Sequence, residues 1–186
     1  MAETNQEFKQ VLATCRTLFK KKLHDYGSSW RILRVTSVTD QIFIKAKRIR
    51  SISEKGEALV DEDISSEFMG IVNYGLIGLI QLSLEPTISA DLTDEEALER
   101  YDKFADATYQ LMVKKNHDYD EAWRGMRVSS YTDLILMKIY RTKQIEELHG
   151  KTLVSEGIDA NYQDMVNYAI FALIKLDIEK EGRQNV

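Results

Sequence analysis

Apolar side chains recur along this chain every three or four positions, which is the spacing of an amphipathic α-helix. The first such stripe consists of Phe8, Val11, Leu12, Cys15, Leu18 and Phe19. A second helix is predicted to begin near Ser37 or Thr39 and to end near Ile52. A third segment, residues 71–82, is apolar nearly all round, which predicts a central helix. Alternating strand patterns are missing from the sequence, so the predicted fold class is all-α.

The same three segments occur twice. Residues 21–52 read KKLHDYGSSWRILRVTSVTDQIFIKAKRIRSI, and 93 positions later residues 114–145 read KKNHDYDEAWRGMRVSSYTDLILMKIYRTKQI. Beyond a one-residue insertion near His149 the shift is 94, and residues 72–82 match residues 166–176. This repeat predicts a tandem duplication of a three-helix unit, with repeats at 1–86 and 87–186 packed as one pseudo-twofold helical bundle.

Local signals predict where several helices begin and end. A Thr-x-x-Glu capping box occurs at residues 4–7 and again at 93–96, and it satisfies backbone donors at a helix start. Relative to the repeat the second box lies four residues earlier, so the fourth helix is predicted to be about one turn longer than the first. The HDYG and HDYD segments end the first helix of each repeat, and Gly56 and Gly150 follow the second.

Composition narrows the functional classes. With 44% hydrophobic and 30% charged residues and a net charge of −5, the chain resembles a soluble globular protein, and an acidic balance argues against nucleic-acid binding. Basic runs at residues 20–22 and 45–50 still allow a phosphate-bearing small molecule. The single Cys15 is predicted to be a core residue. Neither a signal segment nor a stretch of about 20 apolar residues occurs, so we expect a cytoplasmic protein without membrane contact.

A repeated TDxIxxKxxR pattern carries two cations in each copy. These are Lys45 and Arg48 in the first repeat and Lys138 and Arg141 in the second. Both lysines fall on the apolar stripe of their helix, where a lysine either reaches the surface or points into a polar pocket. They could hold phosphate, or they could form ion pairs with Asp40 or with an acid of the third helix.

A repeated HDY–W–R segment precedes the second helix. It supplies Tyr26 and Arg34 in the first repeat and Tyr119 and Arg127 in the second. Aromatic faces can stack on a base or a sugar, and the planar arginine fork can bind phosphate oxygens. In the alternative interpretation Trp30 and its repeat Trp123 close the end of the bundle, and the histidines cap helix C-termini.

Polar positions also occur along the predicted third helices. Spacings of three and four connect Glu62, Ser66, Gly70 and Asn73 in the first repeat, and Glu156, Ala160, Asp164 and Asn167 in the second. Buried carboxylates need a partner, and Mg²⁺ takes oxygen ligands of this kind. Alternatively, Glu156 is an exposed loop residue and Asp164 pairs with a lysine or an arginine.

Taken in order, the motifs KxHDYGxxW, TDxIxxKxxRI, VxExI and a helix with Asn-Tyr resemble the nucleotide-modification-associated domain 1 family, also called domain of unknown function 1599. The resemblance covers residues 18–82 and 111–176. That family is similar in turn to the all-α nucleotide pyrophosphatases of the MazG and dimeric dUTPase type. In those enzymes helix-borne acids hold Mg²⁺ and water attacks a phosphoanhydride, so the resemblance implies nucleotide handling.

This chain departs from the family at two acidic positions. The first repeat has Ser66 and Gly70 where the family helix has aspartates, and the second has Ala160 and Asp164. The first site is therefore expected to be impaired, and any chemistry is expected around Asp164.

The resemblance implies a nucleotide-binding protein, with a Mg²⁺-dependent NTP or dNTP pyrophosphohydrolase linked to nucleotide modification or pool cleaning as the finer hypothesis. It assigns catalysis to Glu156 and Asp164, and metal binding to Glu62, Glu156 and Asp164. The predicted nucleotide-binding residues are Tyr26, Arg34, Lys45, Arg48, Asn73, Tyr119, Arg127, Lys138, Arg141 and Asn167. Related enzymes are oligomers, so self-association is allowed. The competing hypothesis is a non-catalytic binding or scaffolding module whose sites are degenerate.

Overall fold

A computed structural model describes residues 2–56 and 63–184. Within these ranges the chain forms six α-helices and no strand, which confirms the all-α prediction and the three-helix repeat. The helices are α1 Ala2–Tyr26, α2 Val35–Lys55, α3 Ile64–Leu82, α4 Asp94–Tyr119, α5 Val128–Glu147 and α6 Ile158–Gln184. Short 3-10 turns at Ser29–Ile32 and Ala122–Gly125 lead into α2 and α5.

The third helices of the two repeats, α3 and α6, pack against each other at the centre. Two glycines of α3 allow the close approach: a Cβ on Gly75 would lie 2.4 Å from Val166, and one on Gly78 would lie 2.8 Å from the ring of Tyr162. The surrounding core is apolar, as the sequence pattern predicted. None of the described helices is both long and apolar enough to cross a membrane.

The second helices, α2 and α5, show the pseudo-twofold relation most directly. Lys143 of α5 contacts Asp40 of α2 at 2.6 Å, and Arg50 of α2 contacts Asp133 of α5 at 3.5 Å. The two aspartates are equivalent positions of the repeat, and so are the two cations. The ion pairs are therefore reciprocal, and both aspartates serve helix packing instead of the helix-start role that Ser/Thr/Asp clusters often have.

The capping box predicted at Thr4 and Glu7 is wrong. α1 already begins at Ala2, and the buried Thr4 hydroxyl accepts a hydrogen bond from Arg124 Nη2 at 2.8 Å. Glu7 also binds Arg124, at 2.6 Å, so the pattern joins the two repeats. Because α1 starts before Thr4, it has 25 residues against 26 for α4, and the predicted extra turn is wrong too.

The capping box at Thr93 and Glu96 is confirmed by reciprocal side-chain bonds. α2 begins earlier than predicted, at Val35, because Arg34 is the last extended residue. It ends at Lys55, beyond the predicted Ile52, and the predicted stop residue Gly56 follows with a φ of 73°. α1 and α4 end at the predicted HDY segments, and the left-handed residue that follows is Gly27 in the first repeat and Asp120 in the second. An aspartate adopts this conformation more readily than most residues.

The single cysteine is buried in α1, as predicted. Burial raises the pKa of the Cys15 thiol to about 12. A thiol in this environment stays protonated and packs as a small apolar side chain.

Candidate functional site

Among the side chains that the structure describes, each third helix buries one acid, but the two acids lie on different turns of the helix. In α3 the acid is Glu67, which aligns with Asn161 of α6, and in α6 it is Asp164, which aligns with Gly70 of α3. Between the repeats the buried carboxylate has moved by three positions, which is about one helical turn. This shift changes the contacts of the lysines that occur in both repeats.

In the second repeat the carboxylate of Asp164 lies between two lysines. Oδ2 is 2.6 Å from Lys138 Nζ, and Oδ1 is 2.5 Å from Lys115 Nζ. Lys138 and Asp164 are both buried, with 7% of each side chain exposed, whereas Lys115 is 42% exposed. Burial disfavours the charged form of Lys115, but the hydrogen bond to Asp164 and the charge interactions with Asp164 and its neighbours together outweigh this and raise the pKa of Lys115. The structure thus contains the ion pair that the alternative interpretation of Asp164 expected.

In the first repeat the acid one turn earlier binds the two cations of the TDxIxxKxxR pattern. Glu67 contacts Arg48 at 2.5 Å and Lys45 at 3.2 Å. The stem of Lys45 crosses α3 at Gly70, where a Cβ would lie only 2.6 Å from Lys45 Cε. Because Gly70 has no side chain, the end of Lys45 lies in the place that Asp164 fills in the second repeat.

A cavity of about 320 Å³ opens beside Gly70, between α1, the first 3-10 turn, α2 and α3. The aromatic and polar residues of its wall are Phe19, Lys22, Tyr26, Ser29, Trp30, Lys45, Ser66, Asn73 and Tyr74. The described residues that line it include two lysines and no acid. Tyr26 is 55% exposed at the rim, and partial burial together with Tyr74 raises its pKa. The cavity therefore combines aromatic surface with positive charge.

In the second repeat the tryptophan equivalent to Trp30 packs against a phenylalanine. Phe171 takes the position of Ile77 and stacks on Trp123, with ring centroids 4.5 Å apart and planes 8° from parallel. Trp123 therefore closes the end of the bundle, as the alternative interpretation expected. Trp30 is also buried, but its ring forms part of the cavity wall.

The two asparagines of the Asn-Tyr motif have different partners. The amide of Asn73 donates to the Cys15 carbonyl at 3.2 Å and accepts from the Tyr101 hydroxyl at 2.8 Å. Asn167 is buried as well, but neither of its side-chain polar atoms has a hydrogen-bond partner within the described chain. The position equivalent to Tyr101 is Phe8, which lacks the hydroxyl. Asn73 thus connects α3 to α1 and α4, and although it lines the cavity, both of its side-chain polar atoms are bound within the protein.

Replacement of Asn73 with leucine is expected to lower the free energy of unfolding by about 1.5 kcal/mol, because it removes two buried hydrogen bonds and leaves the Tyr101 hydroxyl unpaired. The matched variant Asn167→Leu should be neutral or stabilising, since it replaces buried polar atoms that have no partner within the described chain with apolar ones. Urea denaturation measures both. Equal losses in the two variants would show that Asn167 has a partner after all.

The predicted magnesium ligands do not come together in the described part of the chain. Glu156 lies in the loop before α6 and is exposed, Glu62 lies outside the described residues, and each oxygen of Asp164 is bound by a lysine. No cluster of three acidic, histidine or cysteine side chains occurs among the described residues. Mg²⁺ requires several oxygen ligands, so the described residues do not fit a site for it and we derive no step through the ion.

The other predicted nucleotide-binding residues lie away from the cavity. Arg34 and Arg127 are exposed and precede α2 and α5, and Tyr119 is 70% exposed. Arg141 borders a shallow groove with the exposed Leu153 of the loop before α6. Of the residues predicted to bind nucleotide, the structure brings Tyr26, Lys45 and Asn73 to one cavity, and it places Arg48 next to Lys45 through Glu67.

Sequence reasoning assigned no site role to three residues of the cavity, Lys22, Tyr74 and Trp30. A signal existed, because each is identical in the other repeat. The decisive position was Gly70, where the loss of an acid was interpreted as an impaired site. In the structure, the absence of a side chain at Gly70 lets the end of Lys45 lie there, where it lines the cavity together with Lys22.

Comparison with known proteins agrees with the duplicated architecture. No curated protein and no solved structure matched the chain, so the likeness to MazG-type enzymes stays a prediction. The profile of the family described as nucleotide modification associated domain 1 matches residues 22–82 and 115–176, which is more than half of the chain. Those two segments contain the second and third helices of each repeat, the cavity lysines and the Asp164 ion pair. The chain therefore belongs to the nucleotide modification associated domain 1 family, with two matched segments that correspond to its two repeats.

Proposed function

We propose that this protein binds a nucleotide in the cavity of the first repeat. The observation that carries the proposal is a cavity of about 320 Å³ whose described lining contains three aromatic polar residues and two lysines but no acid. Pockets for small molecules have volumes from roughly 300 Å³ upward and combine aromatic walls with a few polar groups. Tyr26, Trp30 and Tyr74 offer faces or edges for a base, and the lysines offer charge for phosphate.

Two further points support a nucleotide over a neutral ligand. The cation of Lys45 lies 6.0 Å from the ring centre of Tyr74, so charge and aromatic surface are adjacent. The family description associates the domain with nucleotide modification. A base with an attached phosphate would use both kinds of surface at once.

Hydrolysis stays a separate prediction. The carboxylate of Asp164 is engaged by two lysines, and the described residues support binding without supplying a metal-activated water. Release of pyrophosphate from a nucleoside triphosphate in Mg²⁺ would show that hydrolysis follows binding. Cytoplasmic localisation and self-association also stay predictions.

Thermal unfolding with a panel of nucleosides and nucleotides tests the proposal. A ligand that binds the folded state raises the melting temperature, with a stabilisation of about 2.7 kcal/mol at a hundredfold excess over its Kd. We expect at least one nucleotide to stabilise the protein. Tyr26→Ala should remove this response, because Tyr26 is at the cavity rim.

The control is Tyr119→Ala, the equivalent position of the second repeat, where the side chain is also exposed. This variant should keep the nucleotide response. If no nucleotide stabilises the protein, or if only Tyr119→Ala abolishes the response, the proposal fails.

A further inference from the structure

The second repeat shows what occupies the space between its two lysines. The Asp164 carboxylate lies there, bound by Lys115 through one oxygen and by Lys138 through the other. An anionic group with two oxygens is thus held directly by two ammonium groups. Its position is fixed by α6, because the carboxylate belongs to the helix itself.

The first repeat keeps both lysines and removes the carboxylate. Lys22 and Lys45 are the equivalents of Lys115 and Lys138, and Gly70 is the equivalent of Asp164. Both lysines line the cavity, and Lys45 Nζ lies 3.0 Å from the point where a Cβ of Gly70 would be. The end of Lys45 therefore lies over Gly70, where a side chain would be, and both residues line the cavity.

Lys22 and Lys45 bring two ammonium groups to this place. Lys45 also contacts Glu67, at 3.2 Å, and Glu67 contacts Arg48 as well. The carboxylate of Glu67 does not line the cavity, and no other described acid does. A bound anion would meet two positive charges and no lining carboxylate within the described part of the chain.

We infer that Lys22 and Lys45, in the part of the cavity beside Gly70, form an anion subsite that binds the phosphate of a nucleoside monophosphate directly, without a divalent ion. The inference rests on the proposed nucleotide binding and adds which phosphate class is taken. A phosphate monoester carries a charge of about −1.5 to −2 at pH 7 and several acceptor oxygens, so each ammonium group can bind one oxygen, as each lysine binds one oxygen of Asp164 in the second repeat. A triphosphate would bring more charge and its usual Mg²⁺, for which the described lining has no carboxylate.

In the second repeat the Asp164 carboxylate takes the position that we assign to the phosphate, and this suggests a substitution in the first repeat. Gly70→Asp would place a carboxylate between Lys22 and Lys45, as Asp164 does between their equivalents. The added side chain meets the end of the Lys45 side chain, which is flexible and can move aside. Gly70→Asn is the matched control, because it adds the same volume without the charge.

Isothermal titration of a nucleoside, its monophosphate and its triphosphate, each in EDTA and in Mg²⁺, tests the subsite. For the wild-type protein we expect the monophosphate to bind at least tenfold more tightly than the nucleoside in EDTA. Gly70→Asp should reduce this ratio to near one, whereas Gly70→Asn should retain a clear preference for the monophosphate. Lys22→Met should lower the ratio, and Lys21→Met, one residue away on the exposed side of α1, should leave it unchanged.

The outcomes separate the two proposals. Nucleotide binding that requires Mg²⁺, or a ratio unaffected by both Gly70→Asp and Lys22→Met, overturns the subsite and leaves nucleotide binding intact. If neither nucleosides nor nucleotides bind, nucleotide binding fails, and titration with inorganic phosphate then decides the subsite alone. Phosphate binding that is lost in Gly70→Asp supports it, and no phosphate binding overturns it.

Discussion

Replacement of Asp164 with alanine is expected to lower the free energy of unfolding by about 3 kcal/mol. Its carboxylate neutralises Lys138, which has only 7% of its side chain exposed, and it also binds Lys115. Removal of one partner leaves a buried charge without compensation, which typically costs about 3–5 kcal/mol. We expect the lower end of that range because Lys115 is 42% exposed and can turn to solvent.

Chemical denaturation measures this loss, and two controls identify its cause. Glu156→Ala, in the exposed loop before α6, should change stability by less than about 0.5 kcal/mol. The double variant Asp164→Ala/Lys138→Met should recover much of the loss, because no buried cation remains. If the double variant is no more stable than Asp164→Ala, the ion pair is not the source of the effect.

This result also changes how an activity assay must be interpreted. The resemblance to a pyrophosphohydrolase family would assign any loss of turnover in Asp164→Ala to a lost metal ligand. Since the same change is expected to destabilise the fold, turnover has to be compared at a temperature where both proteins are folded. Only a loss under those conditions would support a catalytic role for Asp164.

Arg31→Ala is expected to cost about 2 kcal/mol. Arg31 is 3% exposed and joins the end of α3 to the segment that connects α3 with α4. It donates to Gln81, to the Glu85 carbonyl at 2.9 Å and to Asp91 at 2.8 Å. Gln81 in turn donates to the carbonyl of Arg31 at 3.1 Å. The alanine variant would leave buried polar groups unpaired, and such groups cost about 1–3 kcal/mol.

The matched control is Arg124→Ala, at the equivalent position of the second repeat. Arg124 is 29% exposed and bonds to Glu7 near the surface, so this change should cost less than about 1 kcal/mol. Equal losses in urea denaturation would contradict the difference in burial.

The Arg31 interaction should also depend on pH. The hydrogen bond from Arg31 holds the pKa of the Asp91 carboxyl below its ordinary value of 3.8. A lowered folded-state pKa stabilises the protein above the unfolded-state value and loses this effect as the carboxyl is protonated. The stability difference between wild type and Arg31→Ala should therefore narrow as the pH falls below about 4. A difference that stays constant down to pH 3 would remove Asp91 from the explanation.

Helix positions and the duplication followed from local pattern, because helical periodicity and turn residues act over a few neighbours along the chain. The errors occurred where a distant contact competed with a local signal. Thr4 and Glu7 have the spacing of a capping box, but Arg124 of the other repeat binds both. Glu156 has the spacing of the polar helix face, but the helix begins two residues later, at Ile158.

The sequence by itself determined an all-α protein made of two related three-helix units and its membership of one family. Only the tertiary structure decided that the two units differ in kind: the second closes around the Asp164 ion pair and the Trp123–Phe171 stack, whereas the first leaves a cavity beside Gly70. The physical reason is that the effect of losing the carboxylate at position 70 depends on the residues that surround it. From the sequence alone, Gly70 indicates a lost ligand. In the folded protein α1 and α2 bring lysines to this point, so the loss leaves positive charge beside a cavity.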